Sequence, residues 1–528
     1  MGRFYFLIPR PEDAVERFIA RHADKIMGVL NGFDRLVFRG TLRSIAFVAG
    51  LLGFMRRRRV LLKEFGAWAE GLTERVADAS LRAARALDRP VIYLPSGRTD
   101  KDAVARKIAR EDGITQGLVA VLTCVEPCQS FEIYRNAEEK RLQLVARKRK
   151  CKFLYHYAID PTVGWMNARI QTWFPFSVQI CLNGREWLAR DMDRVGLPYH
   201  REDNCFPWIR NLAQAQTLMN QQLKTRWSRW LDTILRRLNP DHAKLFPESQ
   251  LEYYWSVYQS EWASDIVFRD QTALAEIYPR LTRHAISAFS SADVMRFLGG
   301  KVSGHFKGQI VSDFKDRPEG VRIKHFVGNN SVKAYDKPCI LRIETTIHDA
   351  AGIKVFRPKE GDGRGKRAWR SLRKGTADLY RRTQVSQASN ERYAEALAAA
   401  DTTAPIGRLV EGLDRPVRFK GRYVRGLRAW STEDLRLFRA VNRGEFKITG
   451  FRNRDLQPHL FDRTGTPGQE RRRQSAKVSR LLRLLRAHKI IRKIPRTKRY
   501  KLTHHGQTIL TALLAVHEVS LAQLNKVA

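Results

Sequence analysis

Residues 471–501, with the sequence RRRQSAKVSRLLRLLRAHKIIRKIPRTKRYK, contain fourteen Lys or Arg and no Asp or Glu. Within residues 475–487 the apolar side chains recur at helical spacing and the basic ones occupy the opposite side. Leu484 falls outside the apolar face, whose members are Val478, Leu481, Leu482 and Leu485. The pattern predicts an amphipathic helix with a cationic outer surface.

Two β-like runs follow this helix, at residues 490–494 and 499–503, and a charged turn at 495–498 joins them. Upstream, Ser431 and Asp434 are spaced as in a capping box, which predicts the start of another helix. Residues 449–453 precede a further helix that contains Leu456 and Leu460. The predicted order is therefore helix, helix, basic helix, strand, turn, strand, helix.

This order resembles the winged-helix DNA-binding domains of the MarR kind, through Lys-Val-Ser-Arg-Leu-Leu at 477–482, Ile-Ile-Arg-Lys at 490–493 and Arg-Tyr-Lys-Leu-Thr at 499–503. The resemblance implies that the basic helix enters the DNA major groove and that the turn forms a wing on the backbone. The DNA-binding residues would then be Gln474, Lys477, Ser479, Arg480, Arg483, Arg496, Lys498 and Arg499. A winged helix that binds another protein, with a solvated basic surface, is the alternative.

The formal net charge of the 528-residue chain is +42, and basic residues occur along its whole length. A polyanion is therefore the expected partner, with DNA favoured and RNA as the alternative. Hydrophobic residues make up 43% of the chain, which is enough for a folded core. The apolar run at 45–55 is shorter than the roughly 20 residues of a membrane span. We expect a cytoplasmic, nucleoid-associated protein without a membrane partner.

Six cysteines are scattered at irregular spacing, and only Cys124 and Cys128 are close together. Neither a second cysteine pair nor a nearby His pair completes a zinc pattern, so no zinc is expected. The glycine-rich segment 361–365 lacks the Gly-Lys-Ser/Thr ending of a phosphate-binding loop. No nucleotide cofactor is expected either.

The fold class expected from the whole chain is a mixed α/β, multidomain protein. We expect a helix at 12–30, a turn at 31–35 and an ambiguous stretch at 253–269. The predicted units are a mainly helical N-terminal region at 1–110, an α/β unit at 111–208, a helical segment at 209–300, a β-rich unit at 301–360, a basic helical region at 361–428 ending in a linker at 407–428, and the winged helix at 429–528.

The β-rich unit contains the first candidate for catalysis. In the predicted strand 340–347, Leu341 and Ile343 share one face, whereas Arg342 and Glu344 share the other. A carboxylate in the middle of a strand needs a partner, and Glu344 is a candidate ligand for Mg²⁺ or Mn²⁺. Asp336 would supply a second carboxylate from the end of the preceding strand, with Tyr335 beside it as a nucleophile.

The segment Tyr-Asp-Lys at 335–337, followed by Arg-Ile-Glu at 342–344, resembles plasmid replication initiators that nick DNA with a tyrosine. The resemblance implies that Tyr335 becomes bound to a 5′ phosphate while a metal polarises the phosphate. The His-hydrophobe-His motif of other rolling-circle enzymes is absent. The structural alternative is that 335–338 forms a turn and that Glu344 pairs with the neighbour of Arg342 on the next strand.

A third possible metal ligand is Asp160, which ends a predicted strand immediately before Pro161. Acids in such positions hold metals in nucleic-acid enzymes, and they also cap turns. The aromatic stretch 165–176 suits either base stacking or core packing.

These patterns lead to a DNA-binding protein of a mobile element or plasmid-like replicon as the first hypothesis. Within it, the chain would be a metal-dependent DNA endonuclease or replication initiator that uses Tyr335. The second hypothesis is a non-enzymatic binder, either a winged-helix transcriptional regulator or an RNA-binding scaffold. The body of more than 400 residues is larger than a regulator usually needs, which favours the first hypothesis.

Overall fold

The computed structural model describes residues 18–20, 22–242, 245–246, 251–289, 294–295, 297–299, 310–315, 321–359, 362, 365–398, 406–443, 446, 450–461, 468–494 and 497–518. The chain is a mixed α/β protein, as its patterns predict. The strands are β1 Ile26–Thr41, β2 Val91–Tyr93, β3 Gly117–Asn136, β4 Arg141–Asp160, β5 Gly164–Gln171, β6 Val178–Asn183, β7 Tyr199–Glu202, β8 Cys205–Ile209, β9 Tyr254–Phe268, β10 Ile310–Lys315, β11 Arg322–Val327, β12 Asn330–Lys337, β13 Ile340–Ile347, β14 Lys354–Arg357, β15 Ala368–Ser371, β16 Val417–Phe419, β17 Arg422–Val424, β18 Ile491–Lys493 and β19 Tyr500–Leu502.

Helices cover much of the remaining described chain. The α-helices are Val48–Arg57, Phe65–Ala86, Lys101–Glu111, Gly184–Arg194, Leu212–Gln222, Trp227–Leu238, Gln271–Ala288, Leu379–Ala398, Ile406–Val410, Thr432–Val441, Asn453–Leu460, Gly468–Ala487 and His504–Glu518. Among the described residues, none of these helices is both long enough and apolar enough to cross a membrane.

One large sheet of eleven strands unites most of the chain, in the order β10-β11-β12-β13-β9-β1-β6-β5-β4-β3-β2. Only the pairing of β2 with β3 is parallel. Strands β3 to β6 of the predicted unit 111–208 and strands β10 to β13 of the predicted unit 301–360 therefore belong to the same sheet. They are joined through β1 and β9, which pair along fourteen residue positions at its centre.

The predicted helix at 12–30 is wrong from Ile26 onward, and the predicted turn at 31–35 lies inside β1. Residues 12–17 lie outside the described part of the chain. The long strand is favoured because β6 and β9 bond its backbone on both edges, and such pairing overrides a local turn signal. The stretch 253–269, ambiguous in sequence, is the partner strand β9.

Different elements cover the two faces of the central strands. On one face, helices Gln271–Ala288 and Leu379–Ala398 pack against apolar side chains such as Ile266, Leu341 and Ile343. On the other face, helices Gly184–Arg194 and Leu212–Gln222 pack against Leu30 of β1. The hairpin β7–β8 extends this second cover.

Two expectations for residues 361–428 are wrong. Strand β15 pairs with β14 where a basic helix is predicted. The predicted linker 407–428 contains the helix Ile406–Val410 and the hairpin β16–β17. Leu413 and Leu427 are buried in the core of the C-terminal part, so this segment is part of a folded unit.

The C-terminal part has the predicted order of elements, with helices Thr432–Val441, Asn453–Leu460 and Gly468–Ala487 before the hairpin β18–β19 and the final helix. A backbone bridge between Phe451 and Tyr500 adds a third short strand to the hairpin. The expectation that Leu484 falls outside the apolar face is wrong, because Leu484 is buried beside Leu485 in the same core.

Candidate carboxylate centre

Charged side chains converge on one face of the four adjacent strands β12, β13, β9 and β1. In the register of these strands, Lys333 lies opposite Glu344, Tyr335 opposite Arg342, and Arg342 opposite Asp265. Because side chains alternate along a strand, this face is distinct from the apolar face that carries Leu341 and Ile343. The predicted separation of residues in β13 is therefore confirmed.

A β-bulge brings Asp34 of β1 into this cluster. Phe33 pairs with Trp262 and Arg35 pairs with Glu261, so that Asp34 is the additional residue between two consecutive positions of β9. Such bulges change the direction of a side chain and are common beside active sites.

The carboxylates of Asp34, Glu261 and Glu344 each have an oxygen within 4.8 Å of the other two. Glu344 is fully buried and Asp34 is 8% exposed, whereas Glu261 is partly exposed at the edge of the cluster. Three carboxylate oxygens at such separations suit a shared divalent cation, and hard cations such as Mg²⁺ and Mn²⁺ prefer oxygen ligands. These residues fit a metal by the chemistry of their donor atoms.

Arg342 holds the inner end of the cluster in place. Its guanidinium donates to both oxygens of Asp265, at 2.6 and 2.8 Å, to Asp34 at 3.2 Å and to the backbone carbonyl of Asn204 at 2.6 Å. Arg185 lies 3.2 Å from Asp265. Burial opposes ionisation of Asp265, but Arg185 and Arg342 outweigh it and lower the pKa of this acid. Asp265 therefore serves as the fixed counter-ion of Arg342.

Two hydrogen-bonded asparagines, Asn183 and Asn204, also hold Asp34 in place. Asn183 caps helix Gly184–Arg194 by accepting bonds from Arg185 N and Glu186 N, and its amide donates to the Asn204 side chain at 2.7 Å. Asn204, in the turn between β7 and β8, donates to Asp34. Hydrogen bonds thus connect the N-terminus of helix Gly184–Arg194, the β7–β8 hairpin and the bulge at Asp34. The hairpin covers the Asp265 end of the cluster.

Tyr335 and Glu344 are the two residues of the cluster that could exchange a proton. The Tyr335 hydroxyl donates to Glu344 Oε2 at 3.0 Å, and Lys333 Nζ lies 2.8 Å from Glu344 Oε1. Burial, together with the negative charge of Glu344, raises the pKa of Tyr335 well above its ordinary value. The hydroxyl is therefore protonated at rest and needs a base to become a nucleophile.

The electrostatic environment makes Glu344 a stronger base than an ordinary glutamate. Burial raises the pKa of Glu344, and the attraction of Lys333 offsets this effect only in part, since Glu261 acts with burial. Burial likewise raises the pKa of Asp34 against the attraction of Arg342. Burial is the main cause of both raised pKa values, and the neighbouring carboxylates add a smaller effect that a bound cation would offset.

The structure brings together two of the four residues predicted for the metal and tyrosine site, namely Tyr335 and Glu344. Asp336 follows Tyr335 within β12 and lies on the opposite face, where its charge raises the pKa of Tyr278 together with burial. Asp160 accepts bonds from Thr162 N and Val163 N and pairs with Arg237 at 2.8 Å, so it caps a turn. Neither acid lies in the cluster.

The residues predicted for DNA contact have different surroundings. Arg480 and Lys498 are exposed, and Lys477 is exposed but pairs with Glu433 at 2.8 Å. Ser479 accepts a bond from the Asn453 amide at 2.9 Å. Arg499 donates to the Gly450 carbonyl, and Gln474 and Arg483 are partly exposed. Arg496 lies outside the described residues.

Local sequence patterns do not predict four members of the cluster, Asp34, Glu261, Asp265 and Lys333, nor the role of Arg342. The apolar residues Leu36, Val37 and Phe38 indicate a strand near Asp34, but the Asn31-Gly32 pair signals a turn more strongly. Glu261 lies within a largely apolar stretch that contains Trp255 and Val257.

Comparison of the chain with known protein families, with curated proteins and with solved structures gave no match.

Proposed function

We propose that this protein is a DNA-binding enzyme of a mobile element or plasmid-like replicon, which nicks one DNA strand with Tyr335 and Mg²⁺ or Mn²⁺. The observation that carries the proposal is the Tyr335–Glu344 hydrogen bond beside the carboxylates of Asp34 and Glu261. A nucleophile, a base within hydrogen-bond distance and a set of metal-binding oxygens then occupy one face of the sheet.

In the proposed reaction, Glu344 takes the proton of Tyr335 while the phenolic oxygen attacks the phosphorus of a phosphodiester. The new bond is Tyr335 Oη to phosphorus, and the bond to the 3′ oxygen breaks. The departing 3′ oxygen takes a proton from solvent, which leaves a free 3′ hydroxyl and a 5′ phosphotyrosine. Lys333 supplies positive charge beside Glu344. A divalent cation held by Asp34, Glu261 and Glu344 would polarise a phosphate oxygen.

The C-terminal part supports DNA binding as a winged helix in this proposal. The order of its helices, the hairpin β18–β19 and the bridge from Phe451 to Tyr500 are what such a domain requires. The helix Gly468–Ala487 would enter the major groove with Arg480 exposed, and Lys498 would contact the backbone from the wing.

The long hairpin β3–β4 offers a second basic surface. Lys148, Lys150 and Lys152 alternate with other residues along β4 and share one face, on which their cross-strand neighbours are Gln129, Pro127 and Val125. All three lysines are exposed. Their spacing of about 6.7 Å along the strand suits contacts with successive phosphates of a nucleic acid.

A cleavage assay tests the enzymatic proposal directly. Full-length protein freed of nucleic acid is incubated with supercoiled and single-stranded DNA in Mg²⁺, Mn²⁺ or EDTA, and products are separated on denaturing gels with and without protease. We expect metal-dependent nicks with protein attached to the DNA, and loss of both in Tyr335→Phe and Glu344→Gln.

The chain provides a matched control in Tyr155, whose hydroxyl donates to Glu126 at 2.7 Å elsewhere in the sheet. Tyr155→Phe removes the same atom from a similar pair and should leave nicking intact. Unchanged nicking in Tyr335→Phe, or equal loss in Tyr155→Phe, would disprove the role of Tyr335.

One observation favours a non-enzymatic function as the second candidate. Lys333, Arg342 and Arg185 place three cations within the cluster, so the chain itself compensates much of the negative charge. In that case the cluster is a structural ionic network, and the protein is a winged-helix regulator or an RNA-binding scaffold. Binding of DNA without cleavage would support the regulator, and preference for folded RNA over duplex DNA would support the scaffold.

A further inference from the structure

The hairpin β14–β15 exposes two large aromatic rings side by side. Phe356 and Trp369 are direct cross-strand partners, with ring centroids 5.7 Å apart and planes inclined at 54°. Phe356 is 53% exposed and Trp369 is 57% exposed. The pair forms a contiguous aromatic surface on the outer face of the hairpin.

The inner face of the same hairpin is anchored. Val355 and Leu372 are buried together with Ala350, and the Arg357 guanidinium lies 3.5 Å from the buried Asp378 and donates to the Ser371 carbonyl. Because the inner face is held by both apolar and ionic contacts, strand alternation fixes the aromatic pair on the outside. Its exposure is therefore a property of the fold.

The charge around the aromatic pair indicates the chemistry of its partner. Among the described residues 354–359 and 365–371, the exposed basic residues are Lys354, Lys359, Lys366 and Arg367. Lys354 lies on the same outer face as the rings, where its ammonium donates to the Ser371 hydroxyl. Aromatic rings within a cationic border suit a polyanion with flat apolar groups, which describes an unpaired nucleic-acid strand.

The hairpin lies beyond the end of β13 that is nearer to Glu344. It begins at Lys354, seven positions after Ile347, and the chain after it returns to β9 through a bond from Val257 N to the Lys374 carbonyl at 2.7 Å. Glu344 of β13 and Glu261 of β9 lie toward this end of the two strands, whereas the Asp265 end of the cluster is covered by the β7–β8 hairpin. A short segment of chain therefore connects the aromatic pair to the strand that carries Glu344.

We propose that Phe356 and Trp369 are a stacking platform for unpaired bases of a single-stranded DNA segment. This inference deepens the proposed nicking function, since it names the substrate as a strand that is unpaired next to the cut. The rings contact the bases, and the basic residues of the hairpin contact the phosphates, so recognition tolerates different sequences.

The test compares binding in EDTA, where no metal-dependent cleavage takes place. Fluorescence anisotropy is measured with full-length protein and three probes: an oligothymidine of about twenty nucleotides, an abasic deoxyribose-phosphate oligomer of equal length and charge, and a duplex. The variants are Phe356→Ala with Trp369→Ala, and Phe356→Leu with Trp369→Leu, which keeps apolar bulk without an aromatic face. The control Tyr93→Ala with Tyr380→Ala removes two aromatic rings of similar exposure elsewhere.

We expect both platform variants to lose roughly tenfold in affinity for oligothymidine, while their affinities for the abasic oligomer and the duplex stay constant. The wild-type preference for oligothymidine over the abasic oligomer should disappear in both variants and persist in the control. Unchanged oligothymidine binding, or full binding by the leucine variant, would overturn stacking. The proposal would also be overturned if the wild-type protein sedimented as a dimer and the alanine variant as a monomer, with unchanged affinity for oligothymidine. The aromatic surface would then be a contact between two copies of the chain.

The outcome is independent of the nicking proposal. Unchanged oligothymidine binding in the platform variants, together with nicking by the wild-type protein, would reject the platform alone. Retained stacking without nicking by the wild-type protein would reject the enzyme and leave a single-strand-binding surface.

Discussion

The Tyr335 hydroxyl donates a hydrogen bond to Glu344 at 3.0 Å, and the Tyr155 hydroxyl donates one to Glu126 at 2.7 Å in the same sheet. The pKa values of the two glutamates are nevertheless shifted in opposite directions. Burial opposes ionisation of Glu126, yet bonds from Tyr155, Arg169, Cys124 and Lys101 lower the pKa of its carboxyl to about 2. The pKa of Glu344 is raised. Glu344 therefore accepts a proton more readily than an ordinary glutamate, whereas Glu126 accepts one less readily.

The first prediction concerns metal binding. Asp34→Asn, Glu261→Gln and Glu344→Gln should each weaken Mn²⁺ binding by roughly tenfold or more, because each removes a charged oxygen ligand. Titration of Mn²⁺, followed by electron paramagnetic resonance of the free ion, measures the affinity. Asp160→Asn is the control and should bind Mn²⁺ like wild type, since Asp160 is bonded to its own turn and to Arg237. Equal effects of all four substitutions would contradict the assignment.

The second prediction concerns pH. Burial raises the pKa of Asp34 above the ordinary 3.8 and that of Glu344 above the ordinary 4.5, so the folded state binds these protons more tightly than the unfolded state. These two groups therefore stabilise the fold below their ordinary pKa values, and their contribution is lost as the pH rises through the raised ones. A metal must displace the same protons, so Mn²⁺ affinity should increase with pH across this window.

Mn²⁺ titrations at several pH values from about 5 to about 8 measure this dependence. In Glu344→Gln the slope of affinity against pH should be smaller, because one titrating ligand is missing. An affinity that does not vary with pH in the wild-type protein would show that the carboxylates are not protonated before metal binding.

The third prediction concerns the inner end of the cluster. Arg342→Ala leaves Asp265 buried without its bidentate partner and should lower the free energy of unfolding by about 3–5 kcal/mol. Urea denaturation followed by tryptophan fluorescence measures the change. Arg106→Ala breaks a surface pair with Asp102 and should cost no more than about 1 kcal/mol. A similar cost for both substitutions would mean that Arg342 does not organise the cluster.

The fourth prediction concerns duplex DNA. Arg480→Gln and Lys498→Gln should each reduce the slope of log affinity against log salt concentration by about one, since each removes a phosphate contact. Lys477→Gln should have a smaller effect, because Lys477 already pairs with Glu433. Anisotropy titrations of labelled duplex at several salt concentrations provide the slopes. If Lys477→Gln has the largest effect, the proposed docking of the helix is incorrect.

The sequence predicts the elements that local patterns control. The strand β13 is found at the predicted bounds, and the strands β18 and β19 lie within the predicted runs. Alternation in β13 places Glu344 on the polar face correctly. The same rule applied to β12 separates Tyr335 from Asp336. The expectation that Asp336 ends this strand and joins Tyr335 in one site is wrong, as is the alternative of a turn at 335–338, because the strand continues to Lys337.

The remainder of the site depends on contacts between distant parts of the chain. Asp34 reaches the cluster through a bulge that exists only because β1 pairs with β9, and no local pattern encodes that register. Glu261 gains its neighbours through the same pairing. Leu484 is a similar case within a single helix. The buried face of helix Gly468–Ala487 is wider than the sequence pattern predicts, because Leu484 is in the core together with Leu481 and Leu485.

The central position of β1 has a consequence for synthesis of the protein on the ribosome. β1 is made early, but β9 and β13, which complete the carboxylate centre, emerge only after most of the body has been translated. Until then one edge of a long, apolar strand lacks its partner, and such edges are prone to aggregation. A nascent chain from which β13 has not yet emerged therefore holds no assembled carboxylate centre.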